Sequence, residues 1–269
     1  MKPKHIVLTM TLSLNALLGT KVSAMSEDET KKLIAIIDEK QRSTGDYASI
    51  VVIEEWEKKK DLKAKDPYDL KKAFEARVYR RDADDQLIIL FSKPKAEAGK
   101  GYLRKEKTLL LYEPALGKWE RQTERASIGG TGARRDDFDE SRLSLEFTAK
   151  FVGDEKLGKY DVARIKLTAK PGVEVGSPLL ELWIDKNGQN ILKREESSLS
   201  GKLMRRLLYP AWDKMFSKSK NADVYVPKEI YTYDLLEDEK LTKVKLQNVN
   251  LDSLEKNMFT KAWIESQSR

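Results

Sequence analysis

Hydrophobic and polar positions alternate with a period of two along most of this chain. In residues 73–81, Phe74, Ala76, Val78 and Arg80 fall on one face, and Glu75, Arg77, Tyr79 and Arg81 on the other. Ala163, Ile165, Leu167 and Ala169 alternate in the same way with Arg164, Lys166, Thr168 and Lys170. Such a period describes strands with one buried face. Ser49-Ile50-Val51-Val52-Ile53 is a β-branched run, with Trp56 read as its last inward residue. Apolar runs at 87–91, 102–104, 109–113, 118–121, 179–185, 190–198, 202–209, 223–226, 229–236 and 241–250 predict further strands, separated by turn residues. Within 151–160, Gly153-Asp154 and Leu157-Gly158 read as turns, and 211–221 as a loop or short helix. Asp185-Lys186-Asn187-Gly188 predicts a type I′ hairpin, because Asn-Gly tolerates the positive φ that turn requires. The alternation of Val244 and Leu246 slips to Val249 and Leu251, which predicts a bulge at Gln247-Asn248.

Two stretches follow a helical period instead. Ser26-Glu27-Asp28-Glu29 has the spacing of a capping box, and Leu33, Ile34, Ile36 and Ile37 form one stripe behind it. Residues 136–147 read as a second helix, capped by Asp137, with Phe138, Leu143 and Phe147 on one side. Gly129-Gly130-Thr131-Gly132 precedes it as a flexible hinge; it lacks the spacing of a phosphate loop. About ten to twelve strands with these two helical pieces predict a mainly β fold. It is a single antiparallel sheet curled into an incomplete barrel, with an N-terminal helix and a mid-chain helical lid over the concave face.

Composition narrows the chemistry. There is no cysteine, and the one histidine is His5, so disulfides, thiol sites and histidine-based triads are excluded from residues 25–269. Carboxylates and lysines remain. The clusters Asp136-Asp137-Asp139-Glu140 and Glu237-Asp238-Glu239 lie in polar contexts and read as helix capping and a hairpin tip. No catalytic residue, metal ligand or cofactor is assigned.

Residues 1–24 have the layout of a cleavable secretory signal. Lys2 and Lys4 precede an apolar run from residue 6 to 19, and Val22-Ser23-Ala24 offers small residues for cleavage. The run is short for a membrane anchor, which takes about 20 residues. Cleavage after Ala24 leaves one domain, 25–269, and lowers the net charge from +7 to +4, because Lys2, Lys4 and Lys21 go and no acid does. Lysines and arginines mixed with nearly as many acids describe a solvated surface rather than a nucleic-acid site. An exported, monomeric product is expected.

The order of short motifs resembles the LolA-like outer-membrane lipoprotein-sorting proteins. Phe91-Ser92-Lys93-Pro94, Gly101-Tyr102-Leu103, Leu111-Tyr112-Glu113-Pro114, Trp119-Glu120-Arg121 and Asp137-Phe138 follow that family's pattern. So do Leu182-Trp183-Ile184-Asp185-Lys186, Pro227-Lys228 with Lys243-Val244, and Asn257-Met258-Phe259-Thr260. One departure is Arg135-Asp136-Asp137-Phe138, where the family usually has Gly-Ser-Asp-Phe. The resemblance implies a half-open barrel closed by helices over a hydrophobic cavity. It implies a periplasmic carrier that takes a lipid, or the acyl chains of a lipoprotein, from an inner-membrane permease toward the outer membrane. Phe91, Tyr112, Trp119, Phe138 and Trp183 are then expected to line or cap the cavity. Two alternatives stay open: an envelope sensor or interaction module of the same fold, and an exported hydrolase, which would need a carboxylate pair in a cleft.

Overall fold

A computed structural model describes residues 25–43, 45–59, 67–105, 108–123, 125–236 and 240–268. The expected signal at 1–24, the tip Glu237-Asp238-Glu239 and most of the 58–69 loop lie outside the described residues. The period-two segments assemble into one antiparallel sheet of 13 strands among the described residues, slightly more than the alternation counted. Strands β1 (Asp46–Lys58), β2 (Tyr68–Arg81), β3 (Gln86–Lys93), β4 (Gly101–Lys105), β5 (Thr108–Glu113) and β6 (Lys118–Gln122) run as a meander to one edge. The chain then crosses to the far edge. It returns through β7 (Phe147–Leu157), β8 (Tyr160–Ala169), β9 (Leu179–Asp185), β10 (Ile191–Ser197), β11 (Leu203–Ser217), β12 (Ala222–Asp234) and β13 (Lys240–Asn250), and β13 pairs with β1. Edge strands β6 and β7 do not pair with each other, so the half-barrel stays open.

Alternation decides the two faces. Val51 and Ile53 of β1, Phe74, Ala76 and Val78 of β2, Leu87, Ile89 and Phe91 of β3, and inward residues of β8 to β13 form one buried cluster. Ile34 and Ile37 of helix α1 (Glu27–Gln41) join it, so α1 lies on the concave side. The capping box is present: Glu29 N–H donates to Ser26 Oγ at 3.2 Å, and Ser26 N–H donates to Glu29 Oε2 at 2.8 Å. On the convex face, Ile88, Leu90, Leu103 and Tyr112 pack under Met258, Phe259 and Ile264, the last in helix α3 (Lys261–Gln267).

Several local expectations change under tertiary context. Residues 211–221 are mostly strand, because pairing of β11 with β12 continues as far as Ser217 opposite Ala222. Gly153 sits at a bulge inside β7 rather than a turn. In the Asn-Gly hairpin the positive φ, 51°, falls on Gln189. The Asp185 carboxylate accepts the N–H groups of Asn187 and Gly188 at 3.1 and 2.8 Å, and this folds the turn one residue further. Trp56 faces outward beneath Lys243, 4.5 Å from its ring centre, and the inward face of β1 ends instead on Glu55, 4% exposed. The bulge at Gln247-Asn248 is present: Asn248 has φ 50°, and the register steps from Ala48 opposite Asn250 to Ile50 opposite Gln247.

Candidate functional site

The crossing from β6 to β7 is a strap over the concave face, and its backbone explains why the sequence folds there. Gly129 and Gly130 take φ of 62° and 65°. A Cβ on Gly129 would stand 3.1 Å from the Phe91 ring, so glycine lets the turn sit directly on Phe91 and Phe74. Ile128 and Ala133 on either side are fully buried. Residues 136–147 do not form the continuous helix expected. They form a 3-10 turn at Arg135–Asp137 and a single helical turn, α2 (Leu143–Glu146). The reason is electrostatic: successive carboxylates of the strap are drawn to different arginines of the sheet.

Arg205 of β11, 1% exposed, donates to Glu196 Oε2 at 3.1 Å, to Asp137 Oδ2 at 2.6 Å and to the Gly132 carbonyl at 3.1 Å. Arg194 of β10 pairs with Asp136 at 2.7 Å and with Glu196 at 2.5 Å. Arg80 of β2 holds Asp82 at 2.9 Å and the Phe138 carbonyl at 3.3 Å, while stacking on the Tyr47 ring. Arg104 of β4 holds Asp139 at 2.8 Å. From α1, the Asp38 carboxylate accepts Ser141 Oγ at 2.6 Å and the N–H groups of Leu143 and Ser144 at 3.0 and 2.7 Å, which caps α2. The strap is thus fastened to both halves of the sheet and to α1.

These groups are tuned by burial and by one another. Against the cost of burial, Arg194 and Arg205 hold the carboxyls of Asp136 and Glu196 below the usual range. Glu140 behaves in the opposite way. Burial and the Asp82 charge push its carboxyl up to about 7, although Arg42 lies 3.2 Å away. Asp136, Asp137 and Glu196 also bring carboxylate oxygens within 4.8 Å of one another, a spacing that suits a metal ion. Each of the three is already met by an arginine, Asp136 by Arg194, Asp137 by Arg205 and Glu196 by both, so a cation would have to displace guanidinium groups.

Behind the strap lies a cavity of about 110 Å³. Its sheet wall sets Val51, Val78, Leu180, Ile191, Val226 and Ile230 beside Ser49, Arg80 and Arg194; Phe138 and Leu143 of the strap close it together with Asp136, Asp137, Asp139 and Glu140. Of the five residues expected there, Phe138 lines this cavity. Phe91 is on the concave face, under Gly129 and edge-on to Phe74 at 5.4 Å. The other three are placed on the convex face. Tyr112 and Trp119 pair across β5 and β6 under α3, where Trp119 Nε1 donates to Glu265 at 2.7 Å. Trp183 lies between Arg164 and Lys193 and donates to Glu155. Face assignment corrects the expectation, since Leu182 and Ile184 take the inward positions of β9. The buried arginines were not picked out beforehand. Their signal is an ionisable residue in phase with inward apolar ones, with an opposite charge across the ladder: Glu196 stands directly opposite Arg205.

A family model described as an uncharacterized protein matches residues 83–266. The chain belongs to that family. Among solved structures, this member shares its fold with a LolA superfamily protein from Nitrosomonas europaea, at TM-score 0.69 and 18% identity over 87% of this chain and 98% of that one. It is also similar to a putative outer membrane lipoprotein-sorting protein domain from Vibrio parahaemolyticus, at TM-score 0.74 and 15% identity over 89% and 100%. A DUF1329 family protein from Desulfovibrio piger matches at TM-score 0.73 and 16% identity over 88% and 98%. The chain therefore has the LolA-like fold. No curated protein matches it.

Two outcomes follow from the strap. Arg205→Met leaves Asp137 and Glu196 buried without that partner, and should lower unfolding free energy by about 3–5 kcal/mol in urea titration, while adding Asp137→Leu should restore a large part of the loss. Glu140 gives a pH signature. A raised carboxyl pKa means that its stabilising contribution is present below about pH 4.5 and is lost as pH rises through about 7. Glu140→Gln should therefore raise the melting temperature at pH 8 by about 2–4 °C and leave it nearly unchanged at pH 5.

Proposed function

We propose that the protein is an envelope carrier that holds the acyl chain of a lipid or lipoprotein between the concave sheet and the strap. The observation that carries this reading is the apolar patch of Val51, Val78, Leu180, Val226 and Ile230, flanked by Arg80 and Arg194, behind a strap fastened by polar contacts. Exposing an acyl chain to water costs about 0.8 kcal/mol per CH₂, and an apolar wall under a closable cover offsets that cost. A cavity of about 150 Å³ takes one benzene molecule, so the 110 Å³ present admits no long chain until the strap lifts. Lifting returns the strap carboxylates to water, and their recovered hydration offsets the lost ion pairs. In this reading the chain acts as a periplasmic monomer, loaded at the inner membrane by a permease and unloaded toward the outer membrane. It carries no catalytic step and no cofactor. No helix among the described residues is long and apolar enough to cross a membrane.

The small closed volume also favours a second reading, a module that binds a partner protein and holds no cargo. The two separate in one experiment. Protein purified from the cells that make it is extracted with organic solvent for mass spectrometry, then titrated with a fluorescent fatty acid. The carrier reading expects about one acylated molecule per chain, or saturable uptake by stripped protein. Empty protein that takes up no fatty acid contradicts it and leaves partner binding.

A further inference from the structure

Arg194 of β10 and Arg205 of β11 stand on the inward face among apolar side chains. Arg194 pairs in the ladders with Leu182 on one side and Leu207 on the other, both fully buried. It lines the cavity behind the strap together with Leu180, Ile191 and Ile230. The counter-charges of the two arginines have two origins. Glu196 belongs to the sheet and meets Arg194 at 2.5 Å and Arg205 at 3.1 Å. Asp136 and Asp137 belong to the strap and meet Arg194 and Arg205 at 2.7 and 2.6 Å. Arg134, also of the strap, stands 3.5 Å from Glu196. Three guanidinium groups therefore face three carboxylates while the strap is down.

Lifting the strap breaks this balance. Asp136, Asp137 and Arg134 leave with it, and the sheet keeps two arginines and one glutamate, a net charge of +1. An acyl chain laid on the wall keeps water from that charge, and a buried charge without a partner is untenable. The occupant has to bring one negative charge. Donors to receive it are present. Asp136 and Asp137 each meet their arginine at Nη2, while the Nε atoms of Arg194 and Arg205 are buried and have no hydrogen-bond partner among the described residues. Nε and Nη2 of one guanidinium lie side by side and suit two oxygens of a carboxylate or phosphate, a fork that the single contact from Asp136 leaves half used.

We propose that the occupant behind the strap is an acyl amphiphile with a singly charged oxyanion head, which takes the places of Asp136 and Asp137 on Arg194 and Arg205 when the strap lifts. The strap carboxylates are internal stand-ins for that head. This rests on the carrier reading and narrows it: a fatty acid or an anionic lipid satisfies the two arginines, and a neutral acyl group leaves them with an unbalanced charge.

The test uses the whole chain with a fluorescent fatty acid and its methyl ester, which share one chain and differ in charge. The acid should bind at least about tenfold tighter than the ester at neutral pH, the weight of a charge-assisted hydrogen bond. Arg194→Gln should bring the two affinities within about threefold of each other. Asp136→Asn removes the competitor, keeps both arginines, and should tighten the acid by at least about threefold. Acetate, a head without a chain, should not displace the acid. Because acid and ester are compared on unaltered protein, misfolding cannot produce that result. Equal binding of acid and ester overturns the proposal and leaves the carrier reading standing, whereas binding of neither overturns both. A preference for the acid that survives in Arg194→Gln, no tightening in Asp136→Asn, or displacement by acetate at equal concentration also overturns the proposal.

Discussion

Four arginines that point into an apolar half-barrel constrain this structure most. Arg80, Arg104, Arg194 and Arg205 stand on inward faces of the sheet, where an uncompensated charge is untenable. Their compensation comes partly from Glu196 in the sheet and Asp82 in the turn after β2, and partly from the strap, through Asp136, Asp137, Asp139 and the Phe138 carbonyl. The path of residues 132–146 follows from that requirement. It also accounts for the broken helix, since a regular helix could not aim Asp136, Asp137 and Asp139 at three arginines on three strands.

A cover built this way differs from one built of leucines. Fastened by apolar packing, a strap would lose buried area on opening and expose a greasy underside. Here the underside mixes Phe138 and Leu143 with Asp136, Asp137 and Asp139, and the wall it uncovers sets apolar side chains beside Arg80 and Arg194; the charged groups on both sides regain water when it lifts. The apolar patch of the wall is suited to an apolar occupant, and the ion pairs of the latch are suited to reversal. Glu140 fits the same scheme, because its burial between Asp82 and Arg42 makes one contact of the strap responsive near neutral pH.

Much of the fold was legible in the chain. Phe74, Ala76, Val78 and Arg80 were placed on one face by alternation alone, and the structure keeps them there. The Ser26–Glu29 box and the Asn248 bulge were equally local and equally readable. What failed depended on contacts far away in sequence. Trp56, Tyr112, Trp119 and Trp183 are large aromatics whose face is set by strand register, and a one-residue change of phase moves each across the sheet. The helix expected at 136–147 had good caps and spacing, but its acids answer to arginines up to 69 residues distant, as Asp136 and Arg205 illustrate. Arg80 carried the signal that was missed: a charge in phase with a core face requires a partner, and an acid-rich crossing segment is where to look for it.

The absence of native cysteine makes the central claim directly testable. A Cβ on Gly132 of the strap would lie 3.5 Å from the Thr242 Cβ of β13, a separation that suits a disulfide. In Gly132→Cys with Thr242→Cys, oxidation should lock the strap down. The oxidised protein should take up no fluorescent fatty acid, and reduction should restore uptake to the wild-type level. Equal uptake by the oxidised and reduced forms would contradict the claim, because the apolar wall would then be reached without moving the strap.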